Sequence, residues 1–173
     1  MKRLSLLIFV LLFLVASNQT VVGQTSNTTL EVARVVSIVD GDTIDVDLNN
    51  SRVRIRYIGI NTPEINESCG GAATQANAAL VQGKTVAMFR DVSNTDSYGR
   101  LLRYVFVGGT FVNAALVADG WAEAVEYPPD TTFADYFEVL EAEAAATNKG
   151  CHAFGAFASA ATVPPPQHLL LQA

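Results

Sequence analysis

The sequence predicts an α+β domain built around a small β-barrel. Two observations carry that expectation. Apolar residues alternate with polar ones in short stretches between Val32 and Tyr57, and two more strand-like runs lie between Lys84 and Val107. Three Ala-rich or aromatic-rich segments with helical character are inserted among these runs, each closing at or just before a glycine. Five or so short strands with a few helices make a small barrel domain.

In chain order, Val32 to Val39 is β-branched and stops at Asp40-Gly41, a turn signal. Ile44, Val46 and Leu48 then alternate with Asp45 and Asp47. Asn49-Asn50 is the expected hairpin turn. Val53, Ile55 and Tyr57 alternate with Arg52, Arg54 and Arg56 on the next strand. Residues 71–82 predict a helix with Gly83 as its stop, and Lys84 to Arg90 and Leu101 to Val107 predict two further strands. A second helix is expected over 110–119, ending at Gly120. A third is expected over 132–148, where Phe133, Tyr136, Phe137, Leu140 and Ala144 recur at helical spacing.

The ends of the chain read differently. Lys2 and Arg3 precede an apolar run from Leu4 to Ala16, the pattern of a secretory signal. The run is short for a spanning helix, which needs about 20 apolar residues. Residues 1–23 are therefore expected to be a signal peptide, with an uncleaved anchor as the alternative. Residues 24–30 are a polar linker, 31–155 the domain, and 156–173 a tail holding Pro164-Pro165-Pro166. Export makes a bridge between Cys69 and Cys151 the better expectation, and leaves two free thiols open.

Half of the 173 residues are hydrophobic and the formal net charge is −6, which excludes wholesale disorder and argues against a general nucleic-acid coat. Removal of 1–23 takes two bases and no acid, so the charge becomes −8. The excess is uneven. Residues 31–103 carry eight bases and nine acids, whereas residues 104–148 carry eight acids and no base.

The chemistry gathers in the first part of the domain. Asp42 shares parity with Ile44, Val46 and Leu48, where a carboxylate is costly unless a cation or hydrogen bonds satisfy it. Arg56 ends a stripe of arginines, and a guanidinium matches phosphate in a bidentate way. Asn61-Thr62-Pro63-Glu64 follows; Pro63 cannot continue a central strand, so Glu64 falls in a loop. Arg100 comes after the turn-like Asp96-Ser97-Tyr98-Gly99. Oxygen donors for a hard cation, one free carboxylate and two arginines fit metal-assisted phosphodiester hydrolysis. His152 and His168 lie near or within the tail, so no Ser-His or Cys-His nucleophile competes.

The blocks VVSIVDGDTIDV, VRIRYIGINTPE, DSYGRLLRYVFV and FVNAALVADGWAEAV, in that order over residues 31–155, resemble the staphylococcal-nuclease-like (thermonuclease) family. The resemblance implies a five-stranded OB-type β-barrel with about three helices. It further implies a secreted, calcium-dependent nuclease that cuts DNA and RNA and leaves 3′-phosphates. By the same resemblance Asp42 is a calcium ligand, joined by Asn61 and the backbone carbonyl of Thr62. Arg56 and Arg100 bind the scissile phosphate, and Glu64 activates or orients the attacking water. One position departs: the family's reference enzyme has Asp where this chain has Asn61, which removes a negative charge and implies weaker calcium affinity. Tyr127 is the candidate nucleotide-stacking residue, in a segment altered by Pro128-Pro129. Tyr98 and Trp121 suit packing and base stacking equally. The expected partners are single-stranded or breathing regions of DNA and RNA, met by a monomer with no membrane association once the signal is gone. The alternative is a catalytically silent OB-type module that binds single-stranded nucleic acid or a protein.

Overall fold

The computed structural model describes residues 29–157. The expected signal, most of the linker and the tail beyond 157, with His168, lie outside the described residues.

Among the described residues eight strands and three helices follow one another: β1 (Glu31–Ile38), β2 (Thr43–Leu48), β3 (Ser51–Tyr57), β4 (Ile60–Asn61), α1 (Gly70–Val81), β5 (Thr85–Phe89), β6 (Leu101–Val107), β7 (Thr110–Phe111), α2 (Val112–Ala118), β8 (Glu123–Ala124) and α3 (Ala134–Ala146), then a 3-10 turn over Gly150–Phe154. The main sheet runs β3-β2-β1-β5-β6-β7, and β3 pairs β6 in parallel. That pairing closes β1, β2, β3, β5 and β6 into a five-stranded barrel and confirms the α+β OB-type expectation. Among the described residues no helix is long and apolar enough to cross a membrane.

The alternation read from the sequence sets the barrel's inside. Ile44 faces Ile55 across the β2–β3 ladder and Val46 faces Val53. Ile44, Val46 and Ile55, with Val35, Tyr57, Val86, Met88 and Val105, belong to the buried core, and Val53 packs against it partly buried. Asn49 and Asn50 both take positive φ, as a tight hairpin between right-twisted strands requires. On α3, Phe137 and Ala144 are buried, whereas Tyr136 is on the exposed side of the helix. Phe137 joins Phe89, Tyr104, Phe111 and Phe133 in an aromatic layer between that helix and the barrel.

Three differences from the expected elements have local causes. Thr110 and Phe111 belong to a strand rather than to the first turn of a helix. Gly108 and Gly109 both take positive φ and fold the chain back so that Thr110 pairs with Val107. The pairing of β4 with β8 joins residues about sixty positions apart, which no local pattern signals. Phe157, assigned to the tail, is buried with Ala73 and Cys151. Cys151 is bonded to Cys69 (S–S 2.07 Å), tying the 3-10 turn to the start of α1.

Candidate active site

Asp42 sits in the turn between β1 and β2, with 4% of its surface exposed. Its position is fixed by backbone: the Tyr57 N–H donates to the Asp42 carbonyl (2.9 Å), so the turn extends the β2–β3 ladder. Asn77 of α1 is buried and pins the turn from below. Its Nδ2 donates to the Asp40 carbonyl (2.9 Å), and its Oδ1 accepts from the Tyr57 hydroxyl (2.9 Å). The segment after β4 lies directly on this turn because two glycines permit close approach. A Cβ on Gly41 would stand 2.6 Å from Thr62 Oγ1, and one on Gly70 would stand 1.8 Å from the Glu64 carbonyl oxygen. A side chain on Gly41 would push Thr62 off the turn, and one on Gly70 would push Glu64 away from the start of α1.

Asp42, Arg56, Asn61 and Thr62 form one cluster joined by an ion pair and hydrogen bonds. Arg56 Nε is 3.1 Å from Asp42 Oδ1. Arg56 Nη1 donates to the carbonyls of Tyr57 (2.7 Å) and Ile60 (2.8 Å), and Nη2 donates to Asn61 Oδ1 (3.1 Å). The second carboxylate oxygen of Asp42 accepts from the Thr62 N–H (2.8 Å) and hydroxyl (3.2 Å). Burial pushes the Asp42 carboxyl up to about 6, against the pull of Arg56 and helped by the nearby Asp40. A carboxylate so desolvated needs a cation, and Arg56 provides one here.

That donor set tests the expected metal. Asp42 carboxylate, Asn61 amide oxygen and Thr62 carbonyl are hard oxygen ligands of the kind calcium takes. Among the described residues no group of three His, Cys, Asp or Glu side chains gathers as a metal cage. The residues present therefore fit a hard cation held by one carboxylate, neutral oxygens and water, or by a substrate phosphate.

The remaining candidates are arranged separately. Glu64 follows the buried Pro63 and is exposed. Its N–H donates to Glu67 Oε2 (2.9 Å) and its carbonyl accepts from the Glu67 N–H (2.8 Å), so the backbone is held while the carboxylate is left to solvent. Arg100 is not hydrogen-bonded to the Asp42 cluster. Its Nε is 2.6 Å from Asp96 Oδ2, within a turn where Asp96 Oδ1 also accepts the N–H groups of Tyr98 and Arg100. It lines a cleft of about 450 Å3 with Asp45, Arg52, Arg54, Tyr98 and Gly99. Tyr98 is 83% exposed and lies beside the Arg100 guanidinium (5.4 Å to the ring centre), so it is not a packing residue. Trp121 packs against both apolar clusters. Tyr127 is half exposed before the cis Pro128–Pro129 bond and is not hydrogen-bonded to the cluster.

Glu123 is a site residue that sequence reasoning missed. It lies on β8 opposite Asn61, and its Oε1 accepts from Asn61 Nδ2 (3.1 Å). An amide can turn either end toward a neighbour. With Glu123 holding the nitrogen and Arg56 the oxygen, the oxygen of Asn61 is directed to the cluster side. Only the β4–β8 pairing brings the two together, so no spacing in the sequence carries the signal.

Comparison with known proteins adds to this geometry. The family described as staphylococcal nuclease homologue matches residues 54–152, more than half of the chain. Asp42 lies upstream of that match; Arg56, Asn61, Thr62, Glu64 and Arg100 lie within it. Endonuclease YncB of Bacillus subtilis (strain 168) is 40% identical over 114 residues, covering 61% of this chain and 54% of that protein. The chain thus spans about half the length of that curated relative. The thermonuclease of Staphylococcus intermedius is 33% identical over 113 residues, covering 62% and 67%. An uncharacterized endonuclease of Escherichia coli O157:H7 is 36% identical over 134 residues, covering 76% and 80%.

Proposed function

Because this chain belongs to the staphylococcal nuclease family, we propose that it is a nuclease that hydrolyses phosphodiester bonds of DNA and RNA. The observation that supports this most is the buried Asp42–Arg56 pair with oxygen donors Asn61 and Thr62, two residues from an unpaired, exposed Glu64. A calcium ion would be held by Asp42, Asn61 and the Thr62 carbonyl, and when bound it supplies charge neutralisation at a phosphate oxygen.

The chain's own residues supply the rest. Glu64 accepts a proton from water as that oxygen bonds to phosphorus, and the bond from phosphorus to the 5′ oxygen breaks, leaving a 3′-phosphate. Arg56 has one N–H left after four contacts, enough to touch a phosphate oxygen without giving up Asp42. Arg100 is less buried and brings the second cation to the transition state, where it also supports the departing 5′ oxygen, which leaves as a hydroxyl after taking a proton from solvent. The protein is proposed to act outside the cell, a reading supported by the signal pattern and by the Cys69–Cys151 bond, which suits an oxidising compartment.

Incubation of the purified protein with denatured DNA, with calcium and with excess chelator, tests this. Cleavage with calcium, loss of cleavage in chelator and 3′-phosphate ends are expected. Undiminished cleavage in chelator refutes the calcium scheme. Binding without any turnover refutes the nuclease and leaves the silent module.

A further inference from the structure

Two arginines of the β3 stripe take no part in the Asp42 cluster. Arg52 and Arg54 project from the same strand face as Arg56, at steps of roughly 6.8 Å, and they line the cleft that Arg100 lines from across. Both converge on one acid. Arg54 Nε is 2.8 Å from Asp45 Oδ1, and Arg52 Nε is 3.6 Å from Asp45 Oδ2, with Arg52 Nη2 donating to Ser37 Oγ (2.8 Å). Their side chains remain 51% and 63% exposed.

A stability role accounts poorly for this. Exposed ion pairs contribute about 0–1 kcal/mol, and one arginine already satisfies one carboxylate. Three guanidinium groups and one carboxylate line the cleft itself; with Asp96 on Arg100 and the exposed Asp47 opposite Arg52, the face comes to near balance in a chain of net charge −6. Asp45 orders the two forks and leaves their outer N–H groups to solvent. Paired forks on a strand edge leading away from Arg56 suit the oxygens of successive phosphates.

We propose that Arg52 and Arg54 form a subsite for the phosphates of a single strand flanking the scissile one, with Asp45 as the internal counter-ion that holds them ready. The nature of the ligand rests on the nuclease reading above; the subsite itself predicts binding that does not require turnover. Strand length beyond the cleaved linkage then governs affinity, and Asp45 tempers it.

The test measures binding of fluorescein-labelled single-stranded dT12 and dT3 by anisotropy in chelator, for the wild type, R52Q/R54Q and D45N. The double variant is expected to bind dT12 more weakly and dT3 unchanged. Two lost contacts on a single strand lower the log K against log salt slope by ~1.4, so the wild type's advantage shrinks about sevenfold from ~50 to ~200 mM salt. D45N is expected to bind dT12 more tightly, and opposite changes in the two variants cannot come from misfolding. Equal loss on dT3 and dT12, an unchanged salt slope, or weaker binding by D45N overturns the proposal. Cleavage with calcium is followed in parallel. Length-dependent binding without cleavage keeps the subsite and removes the nuclease reading, whereas cleavage with unaltered binding in R52Q/R54Q does the reverse.

Discussion

Replacing Arg56 by Gln separates what this arginine does for the fold from what it does for the reaction. Arg56 and Asp42 side chains are both a tenth or less exposed, and Arg56 also satisfies two backbone carbonyls and Asn61. Breaking a buried pair by removing one partner costs about 3–5 kcal/mol, against about 0–1 kcal/mol for an exposed one. Burial already pushes the Asp42 carboxyl up to about 6, and Arg56 is the main influence pulling it down. Without the guanidinium it rises further. The loss is therefore largest at pH 7, where the wild-type carboxylate is charged, and shrinks at pH 4.5, where it is protonated with or without Arg56. Urea unfolding of wild type and R56Q in chelator at both pH values measures this. Added calcium should return part of the stability at pH 7, by putting a cation back on Asp42, while activity stays low. A loss below about 1 kcal/mol at pH 7, or one equal at both pH values, would refute the account of a desolvated pair.

Further outcomes follow from the same geometry. In wild type without metal, the raised Asp42 value means the native state holds its proton more tightly than the unfolded chain, so stability falls as pH rises from about 4 through 6. The rise of that carboxyl from its ordinary 3.8 to about 6 corresponds to roughly 3 kcal/mol, visible in urea midpoints, and saturating calcium should flatten that limb. Glu64→Gln should lower kcat by about 10²–10⁴ with urea stability within ~0.5 kcal/mol, because the carboxylate is exposed and only the backbone of the residue is tied down. Asn61→Asp should destabilise the metal-free protein by about 1–3 kcal/mol by setting a carboxylate against Glu123, and N61D/E123Q should recover it; equal stability of both variants would deny the contact. Removing the Cys69–Cys151 bond opens a connection across 82 positions and should cost roughly 4–5 kcal/mol in reduced or C69S/C151S protein.

The barrel was legible because its strands are half buried: period-two alternation places Ile44 and Val46 opposite Ile55 and Val53, and the same rule puts Arg52 and Arg54 outside. The two-residue strands were not legible. Ile60–Asn61 and Glu123–Ala124 are too short for any period, and their pairing depends on the chain returning after two helices. At the site, the costly parity of Asp42 is met by the Arg56 guanidinium and by hydrogen bonds from Thr62. Its depth depends on contacts the sequence does not display, namely Gly41 and Gly70 admitting the 62–64 loop and Asn77 reaching the turn from α1. Asn77 and Asn113 are fully buried polar residues on helix faces, explained by tertiary partners: the Asp40 carbonyl and Tyr57 hydroxyl for Asn77, the Ile58 carbonyl and Val105 N–H for Asn113. The separation of Arg100 from the cluster was likewise invisible, since it follows from the Asp96 turn holding the guanidinium.

The net charge is a poor guide to what an anionic substrate meets. Several acids of the C-terminal third are spent as internal acceptors. Asp130 is buried and takes the N–H groups of Val92 (2.9 Å) and Ser93 (2.7 Å), Glu141 takes that of Ala124 (3.0 Å), and Glu123 takes the amide of Asn61. Nor are all the bases available, since Arg103 is buried against Glu31 and Arg56 against Asp42. Exposed charges farther apart than about 10 Å are largely screened at ordinary salt. What an anion meets is the local sum along the cleft face, where Arg52, Arg54 and Arg100 are matched by Asp45, Asp47 and Asp96. A balance that close attracts a strand weakly and releases it readily, which suits the proposed nuclease, which must let its products go, better than a protein that stores nucleic acid.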